Sequence, residues 1–414
     1  MRCSAGVQLA VDLHLHSRHA GGVSPAMTVP NIAAWAQRKG LDLLGTGDCL
    51  QADWLHEIER TMTEAEPGLL TLRPEIEEVA GKLLSPRLRR PLRFVLSTEV
   101  CCAPPGTPEL GGLHHLIYFP SLDSAWRFRE RMMLFGDLQE GRPTLAFDSR
   151  QLLAAVIDHG EGCRLAPAHV FNPWYSSLGS VSGEKMLTNV FGEHAPNVVA
   201  AEMGLTSIPP MCRRVSDLDR HALFCCSDAH SLENLGREYT LMNIEPSFTA
   251  LFDALRTGSG DRIHGFVKFP LERTRYYRNR CGVCKKSFDG KTCPRCGRPL
   301  AMGSHDRLEV IADRSKPSET PDAPPCRQLL PLAYVIAELM GVARDSKSVR
   351  RHYARLLDAL GDERRILTEA TQNEIADAGT PQLARAIVAQ RTSPPRQLPE
   401  KAALPHNDQL SLGL

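Results

Sequence analysis

Short apolar runs alternate with helix-like patterns along the chain as far as residue 263. The β-branched or leucine-rich runs predict strands, and apolar residues at helical spacing predict helices between them. Strands that alternate with helices favour a parallel sheet, either closed or doubly wound. The predicted strands are residues 8–13, 41–46, 93–98, 115–119, 164–167, 198–202 and 222–226, and the predicted helices include 29–39, 124–135, 149–159 and 246–257.

Nearly all the chemically reactive polar residues follow the C-terminal ends of these predicted strands. Folds of the α/β class place their sites at that edge of the sheet. The positions of the motifs therefore favour a closed barrel over an open sheet.

The pattern changes after the predicted barrel, which indicates further units. Residues 265–314 are short, basic and cysteine-rich, and a polar Pro/Ser/Asp-rich segment follows them. Residues 332–340, 348–360 and 381–390 have amphipathic helical spacing. The predicted division is a barrel at 1–264, a cysteine-rich unit at 265–314, a linker at 315–325, a helical module at 326–391 and a flexible tail at 392–414.

Composition indicates a water-soluble globular enzyme. The 414 residues are 42% hydrophobic and 23% charged, which excludes a disordered or collagen-like chain. No run reaches the roughly 18 apolar residues of a membrane span, and the N-terminus lacks the pattern of a secretory signal. Thirteen cysteines, nine of them scattered, are typical of a reducing cytosol. We therefore expect a cytoplasmic protein without a membrane partner.

Two pairs of candidate metal ligands lie far apart in the sequence. In Asp12-Leu13-His14-Leu15-His16, the two histidines share one face at the end of a strand, because strand side chains alternate. Asp228 and His230 repeat the spacing after the last predicted barrel strand. One such pair is common by chance, but two at strand ends indicate a shared metal site.

Four more acidic or imidazole groups lie at the ends of the strands between these pairs: Asp48, Glu99, His114 and His169. The eight groups together form a mixed nitrogen and carboxylate set suited to two or three divalent ions of the Zn²⁺, Mn²⁺ or Mg²⁺ type. Paired ions of this kind support phosphoester hydrolysis by activating water and stabilising the leaving oxygen.

The four clustered cysteines have the spacing of a zinc ribbon. Two C-x2-C knuckles are separated by eight residues, and Gly282 and Gly297 can supply their tight turns. A closed four-cysteine site has no open position for catalysis, so we expect a structural Zn²⁺ that stabilises a unit too small for its own core. The predicted ligands are Cys281, Cys284, Cys293 and Cys296.

A basic strip surrounds these cysteines although the net charge of the chain is only +1. Residues 264–300 contain ten Lys or Arg against two acids, and a shorter basic run occupies residues 81–93. Such runs are commonly solvated surface. Here guanidiniums interleave with aromatic rings, a pattern that also fits contact with nucleic acid. The predicted DNA-binding residues are Arg273, Arg275, Tyr276, Arg278 and Arg280.

Phe171, Trp174 and Tyr175 follow the candidate ligand His169 closely. They are either core and loop packing or the wall of a lesion pocket. A pocket wall would stack on a nucleotide that has been flipped out of the helix.

The motifs DLHLH, GTGD, STE, HH, PAH and SDAH resemble the PHP superfamily, and several longer segments are closer to its endonuclease Q family. The segments that carry this resemblance are residues 27–48, 167–183, 227–238, 293–300, 306–307 and 346–363, and the similarity extends over about 11–369. The resemblance implies an α/β fold, a PHP-type distorted (βα)7 barrel with an appended four-cysteine zinc unit and a C-terminal helical domain, from a bacterial source.

The same resemblance implies residue roles and an activity. Asp48, Glu99 and Asp228 are expected to be catalytic carboxylates, with Glu99 bridging the metals. His114 is the expected ligand of the HH pair and His115 would point elsewhere, although the residues alone leave that choice open. The implied reaction is cleavage of DNA on the 5′ side of hypoxanthine, uracil, xanthine or an abasic site.

Two other functions remain open at this point. A small-molecule phosphatase of the histidinol-phosphate type would share the metal set but has no use for the zinc unit or the basic strip. A non-catalytic DNA-binding accessory protein is the second alternative. The sequence also departs from the family pattern at two places. The superfamily often has a further histidine after the HxH pair, and His19 does not have that spacing. Endonuclease Q sequences tend to read ETGL where this chain has Glu202-Met203-Gly204-Leu205.

The last six residues end a Pro-rich polar segment with three leucines. They are either a frayed terminus or a binding peptide. They resemble the bacterial clamp-binding motif, which implies the β sliding clamp as a partner and an enzyme associated with the nucleoid. The motif residues are Gln409, Leu410, Leu412 and Leu414.

Overall fold

The structure is a computed structural model that describes residues 7–106, 112–160, 162–258, 260–318 and 323–392. Its strands are β1 (Val7–Asp12), β2 (Leu43–Gly45), β3 (Met62–Glu66), β4 (Leu69–Leu72), β5 (Arg93–Cys102), β6 (Leu113–Phe119), β7 (Thr144–Leu145), β8 (Arg164–Pro167), β9 (Ala201–Glu202), β10 (Leu223–Phe224), β11 (Tyr239–Ile244), β12 (Ile263–Lys268) and β13 (Cys326–Gln328).

The helices are α1 (Val29–Lys39), α2 (Ala52–Thr61), α3 (Pro74–Lys82), α4 (Leu122–Met132), α5 (Ser149–His159), α6 (Leu187–Phe191), α7 (Pro209–Cys212), α8 (Phe248–Thr257), α9 (Ser304–Ile311), α10 (Leu332–Met340), α11 (Lys347–Leu360), α12 (Glu363–Thr368), α13 (Gln372–Ala378) and α14 (Pro381–Thr392). Within these ranges, no helix has the length and apolar character needed to cross a bilayer.

Seven strands form a distorted ring in the order β1-β2-β5-β6-β8-β9-β10. The pairs β1–β2, β2–β5 and β9–β10 are parallel. Val199 N donates to Leu165 O at 3.0 Å beside β8 and β9, and a parallel bridge between Leu15 and Ala229 returns the ring to β1. The closed barrel inferred for this chain, with its cysteine cluster and C-terminal helices, is therefore confirmed.

The ring departs from the predicted parallel sheet at one strand. β6 runs antiparallel to both β5 and β8, so its N-terminal end meets the C-terminal ends of its neighbours. His114, the second residue of β6, therefore enters the site at the beginning of a strand. The side-chain pattern of the sequence does not indicate strand direction, because strand alternation is the same in both directions.

Further strands extend the sheet outside the ring. β11 pairs antiparallel with β1, and β12 and then β13 continue from it. Residue 264, the predicted end of the barrel unit, lies inside β12, and β13 joins the first residues of the predicted helical module to the same sheet. β3 and β4 form a hairpin beside β5.

The C-terminal helices pack on the barrel beside α1. Gly40 ends α1 in the left-handed conformation, and a Cβ on it would lie 2.4 Å from a carboxylate oxygen of Asp362, so a side chain there would block the close approach. Lys39 forms a buried 2.9 Å ion pair with Glu363, whose carboxylate also accepts a hydrogen bond from Tyr353. The barrel and the helices α10–α14 therefore share a polar interface.

Helix bounds follow the sequence closely where local signals are strong. α1, α5 and α10 have the predicted bounds, and a capping box formed by Asp148 and Gln151 fixes the start of α5. α4 begins two residues before its predicted start because the side chain of Ser121 caps it. β9 and β10 are shorter than predicted, since their outer residues belong to loops around the site.

A second buried ion pair stabilises the sheet near β12. The ammonium group of Lys268 contacts the carboxylate of Glu238 and donates to Gly204 O, and both side chains are fully buried. Burial opposes the charge on Lys268, but the neighbouring Glu238 carboxylate raises its pKa, so the ammonium remains charged. Removing one partner would leave an uncompensated charge in the interior.

We expect Glu238→Gln to lower the free energy of unfolding by about 3–5 kcal/mol, because it leaves Lys268 buried without its counter-charge. The control is Glu78→Gln, which breaks the exposed ion pair with Lys82 and should leave that free energy nearly unchanged, because solvent screens the pair. Urea unfolding followed by circular dichroism measures both changes. Equal effects of the two variants would contradict this assignment.

Candidate metal centre

Two histidines and an aspartate meet where β1 ends. Asp228 N donates to His14 O at 2.8 Å and His16 N donates to Ala229 O at 3.0 Å, so the segment after β10 aligns beside the HxH segment. His14 Nε2 and His16 Nε2 lie 3.5 and 3.4 Å from Asp228 Oδ1. The two distant sequence pairs are thus brought to one point, and His14, His16 and Asp228 form a group that can hold a metal ion.

A second group lies across the barrel mouth. His114 Nδ1 and His169 Nε2 lie 2.9 and 3.0 Å from Glu99 Oε1, and all three side chains are buried. Nδ1 of His169 is held by the hydroxyl of Ser176 at 2.8 Å, which fixes the ring. Glu99, His114 and His169 therefore form a second group that can hold a metal ion.

The carboxylate of Glu99 lies between the two groups. Its Oε1 is 3.6 Å from His14 Nε2, and its Oε2 is 3.3 Å from His16 Nε2. One carboxylate that faces both sets of imidazoles has the position of a bridging ligand between neighbouring ions. This is the position that the sequence resemblance implies for Glu99.

Several ligand atoms at this point have no hydrogen-bond partner among the described residues although they are buried. They are His14 Nε2, His16 Nε2, His114 Nδ1, Asp228 Oδ1 and His230 Nε2. Buried polar atoms without partners are rare in folded proteins, and here they converge. Ligands about 2.1 Å from a tetrahedral ion lie roughly 3.4 Å apart, close to the separations found here. The site therefore fits divalent metal ions.

Charges in the cluster also favour cations. Burial opposes the charge on His14 and on His16, but the surrounding carboxylates raise the pKa of both imidazoles well above the usual value. Burial also opposes ionisation of Glu99, yet His114 and His14 keep its pKa well below the usual range. The centre therefore combines ionised buried carboxylates with nitrogen donors, and a divalent cation can supply the positive charge that protons on the imidazoles otherwise supply.

Two other imidazoles have lowered pKa values. Burial lowers the pKa of His114 to about 4, although Glu99 opposes the change. Burial likewise lowers the pKa of His230 to about 4, and its ring packs 4.6 Å from that of His16. Neutral imidazole is the form that binds metals.

Two carboxylates lie behind the first histidine pair and orient it. Asp48, predicted as a metal ligand, accepts hydrogen bonds from His16 Nδ1 at 3.0 Å and from Ser17 at 2.6 and 2.7 Å. Glu202 contacts His14 Nδ1 at 3.0 Å and accepts from His169 N at 2.8 Å. These contacts hold Nε2 of each imidazole toward the centre.

The structure therefore places Asp48 behind His16 and outside the two groups of converging ligand atoms. The sequence analysis missed the equivalent role of Glu202. Its position at the C-terminal end of the predicted strand 198–202 is the signal that could have identified it, since the other site residues also lie at strand ends.

Strained backbone is concentrated at this site. Asp48, His169, Tyr175 and Asp228 have positive φ angles, an unfavourable conformation for residues with a Cβ. Such residues cluster at functional sites because the surrounding structure holds them there.

His115 points away from the centre. Its Nε2 contacts the hydroxyl of Ser149 at 2.7 Å, and its ring packs beside Phe191. Of the HH pair, His114 is thus the residue that faces Glu99.

The four cysteines form a compact cluster. Sγ of Cys281 lies 3.6 Å from that of Cys296, and Sγ of Cys293 lies 3.8 Å from that of Cys284. All four sulfur atoms lie within 4.8 Å of one another, so the cluster can hold one metal ion. Gly297 has a positive φ angle in its turn, whereas in the first knuckle Lys285 adopts that conformation instead of Gly282.

The predicted DNA-binding strip is partly occupied by internal contacts. Arg273 forms an ion pair with Glu338 of α10, and Arg278 pairs with Glu272 and Asp289. Arg273 therefore joins the cysteine-rich unit to the C-terminal helices. The Arg275 guanidinium lies 6.0 Å from the ring of Tyr276, and Arg280 forms backbone bridges within the cysteine unit.

The three aromatic residues after His169 have different positions. Phe171 is fully buried in the core, so the structure assigns it packing and not a pocket wall. Tyr175 stacks on His114 with ring centroids 4.7 Å apart. Trp174 is half-buried and contacts Tyr276 edge-on at 5.2 Å.

Hydrogen bonds join the cysteine-rich unit, including α9, to the loop after β8 that carries these rings. Arg307 Nε donates to Leu178 O at 3.0 Å, and Ser180 donates to Met302 O at 3.0 Å.

The clamp-motif residues Gln409, Leu410, Leu412 and Leu414 lie outside the described residues.

We expect Glu202→Gln to weaken divalent metal binding by roughly 10–100-fold. The carboxylate of Glu202 keeps the proton of His14 on Nδ1 and leaves Nε2 free for a metal, and a neutral amide does this less well. Isothermal titration with Mn²⁺ measures the affinity, and Glu193→Gln, which removes an exposed carboxylate, is the control. An affinity unchanged from the parent protein would exclude an orienting role for Glu202.

Comparisons with known proteins agree with this architecture. The chain is 26% identical over 400 residues to an uncharacterized protein, YqxK, of Bacillus subtilis, covering 93% of this chain and 95% of that protein. It is 31% identical over 165 residues to the uncharacterized protein MJ0043 of Methanocaldococcus jannaschii, of which the match covers 16%. Residues 331–393 match the family described as the MJ0043 C-terminal domain.

Two solved structures are similar over nearly the whole chain. The lesion-specific endonuclease PfuEndoQ from Pyrococcus furiosus has 27% identity and a TM-score of 0.79, covering 93% of this chain and 91% of its own. Endonuclease Q in complex with a 27-mer duplex that carries an abasic lesion at the active site has 27% identity and a TM-score of 0.80, covering 93% and 92%. From the barrel through the four-cysteine unit to the C-terminal helices, this chain has the architecture of endonuclease Q, and the resemblance indicated by its motifs is confirmed.

Proposed function

We propose that this protein is a metal-dependent DNA repair endonuclease that cuts next to a damaged base. The main support is the match over 93% of the chain to an endonuclease Q bound to lesion-containing duplex. The convergent ligand atoms around Glu99 give independent support, because they fit the divalent ions that hydrolyse phosphoesters.

Each residue of the centre has a proposed role. His14, His16 and Asp228 would hold one ion, His114 and His169 would hold a second, and Glu99 would be the carboxylate that both ions share. His230 adds a ligand at the edge, and Asp48 supports the site through His16. Bound Zn²⁺, Mn²⁺ or Mg²⁺ would lower the pKa of water and neutralise developing negative charge. The protein supplies fixed imidazole orientations and excludes bulk water by burial.

Parts of the chain outside the barrel favour DNA over a small phosphate ester. A phosphatase needs neither a cysteine unit, in which Zn²⁺ is the proposed ion, nor a helical module. In α11 the side chains of Lys347, Arg350, Arg351 and Arg355 are exposed. Cations on one helix suit contacts to phosphates along a duplex. We propose that the module at 326–391 and the cysteine unit at 265–314 hold the duplex against the barrel at 1–264.

The proposed lesions are hypoxanthine, uracil, xanthine and abasic sites, with cleavage on the 5′ side. The ring of Tyr175 lies on the ligand His114, so a base stacked near it would place its neighbouring phosphodiester beside the centre. Trp174 and Tyr276 add aromatic surface nearby. Deaminated bases pair poorly, which lowers the free energy needed to flip them out.

We expect the protein with Mn²⁺ or Mg²⁺ to nick a labelled duplex 5′ to a single deoxyinosine, and Asp228→Asn to reduce the rate by at least about a thousandfold, because a metal ligand is lost. Denaturing electrophoresis locates the nick, and Asp253→Asn, on the exposed surface of α8, is the control. An undamaged duplex of the same sequence tests lesion dependence. Phosphate release from histidinol phosphate without any nick near the lesion would instead favour the phosphatase.

We also propose that the C-terminal tail binds the bacterial β sliding clamp. Residues 409–414 have the sequence QLSLGL at the end of a Pro-rich polar segment. Binding of the clamp through this tail would raise the local concentration of the nuclease on DNA without restricting the barrel.

We expect a fluorescent peptide of residues 407–414 to bind the clamp at low micromolar concentration, because Gln409 and the leucines match the motif. Changing Gln409, Leu412 and Leu414 to Ala should abolish the anisotropy change. Equal affinity of both peptides, or no binding by either, would exclude the clamp as a partner.

A further inference from the structure

An arginine outside the predicted ligand set reaches the metal centre. Arg142 lies in the loop between α4 and β7, and its guanidinium donates to Glu99 Oε2 at 3.3 Å. The same carboxylate oxygen lies 3.3 Å from His16 Nε2. The side chain is only 19% exposed, so this cation is largely buried at the barrel mouth.

The backbone on both sides of Arg142 is fixed against the site. Gly141 N donates to His19 O at 2.9 Å, and a Cβ on Gly141 would lie 2.7 Å from Asp48 Oδ2, so only glycine allows this approach. On the other side, Cys101 N donates to Pro143 O at 2.9 Å beside the parallel pair of β5 and β7. The loop therefore presents Arg142 to Glu99 in a defined place.

The positive charge of Arg142 beside a site that fits cations is unfavourable and calls for an explanation. It repels the divalent ions that the ligand set fits, and Glu99 is already surrounded by imidazoles that can balance its charge. A guanidinium has five N–H donors, and among the described residues Glu99 is its one hydrogen-bond partner. Donors therefore remain for an anionic ligand that binds beside the ions.

We propose that Arg142 binds a non-bridging oxygen of a phosphate group at the metal centre. The forked guanidinium matches phosphate oxygens, and its position beside Glu99 would bring a bound phosphate next to the ligand atoms of the candidate metal centre. For DNA this assignment rests on the proposed function, in which the phosphate is the scissile phosphodiester. The affinity for phosphate itself does not depend on which ester is cut.

Inorganic phosphate is the probe that separates these two questions. The Mn²⁺-loaded full-length protein is titrated calorimetrically with phosphate, and Arg142→Ala, Arg142→Lys and the control Arg127→Ala, on the exposed face of α4, are compared. We expect Arg142→Ala to weaken phosphate binding at least about tenfold, because a charge-assisted hydrogen bond is lost. Lysine should restore part of the affinity, since it keeps the charge but not the fork.

A structural role for Arg142 would give a different pattern. Stoichiometry and affinity for Mn²⁺, measured on the same variants, should be unchanged or slightly higher in Arg142→Ala, because a repelling charge is removed. Parallel loss of Mn²⁺ and phosphate binding, unchanged phosphate affinity, or no phosphate binding by the parent protein would each overturn the proposal. Phosphate binding that depends on Arg142, in a protein that nicks no lesion, would leave it standing and exclude the proposed nuclease.

Discussion

The carboxylate of Glu99 is the group on which the rest of the site depends. It is almost inaccessible to water, yet its oxygens face four histidines and one arginine within 3.6 Å. A buried charge must be paired, so the strands that carry these partners have to converge. The strained backbone at His169 brings its imidazole to Glu99, and the strained backbone at Asp228 and Asp48 places their carboxylates beside the histidines that also face Glu99.

The reversed strand β6 contributes to the same arrangement. Because β6 runs antiparallel to β5, His114 opposes Cys101 across the strand pair, and the ring of His114 lies beside Glu99. His115, one residue later, points to the other face and packs with Phe191. Strand alternation thus directs one of two adjacent histidines to the centre and the other into the core, and the reversal of β6 brings His114 to the edge where β5 and β8 end.

Charged side chains outside the site hold the units together. Lys39 pairs with Glu363, Arg273 with Glu338, and Arg307 donates to the loop that carries Tyr175. These contacts give the cysteine unit and the C-terminal helices a defined position relative to the metal centre. A repair nuclease of the proposed kind needs such rigidity, because a displacement of about 1 Å at the reacting atoms strongly reduces rates.

The sequence alone determined the local features: the HxH and DAH pairs, the four-cysteine spacing, the capped helix α5 and most strand positions, because each depends on neighbours within a few residues. Tertiary structure decided which side chains meet. It placed Asp48 behind His16 and Glu202 behind His14, and it brought Arg142 from a loop without a recognisable pattern to Glu99. For the same reason Arg273 forms an ion pair with Glu338, and Phe171 packs in the core. Strand direction and long-range charge pairing depend on contacts between distant segments, and the sequence pattern does not encode those contacts locally.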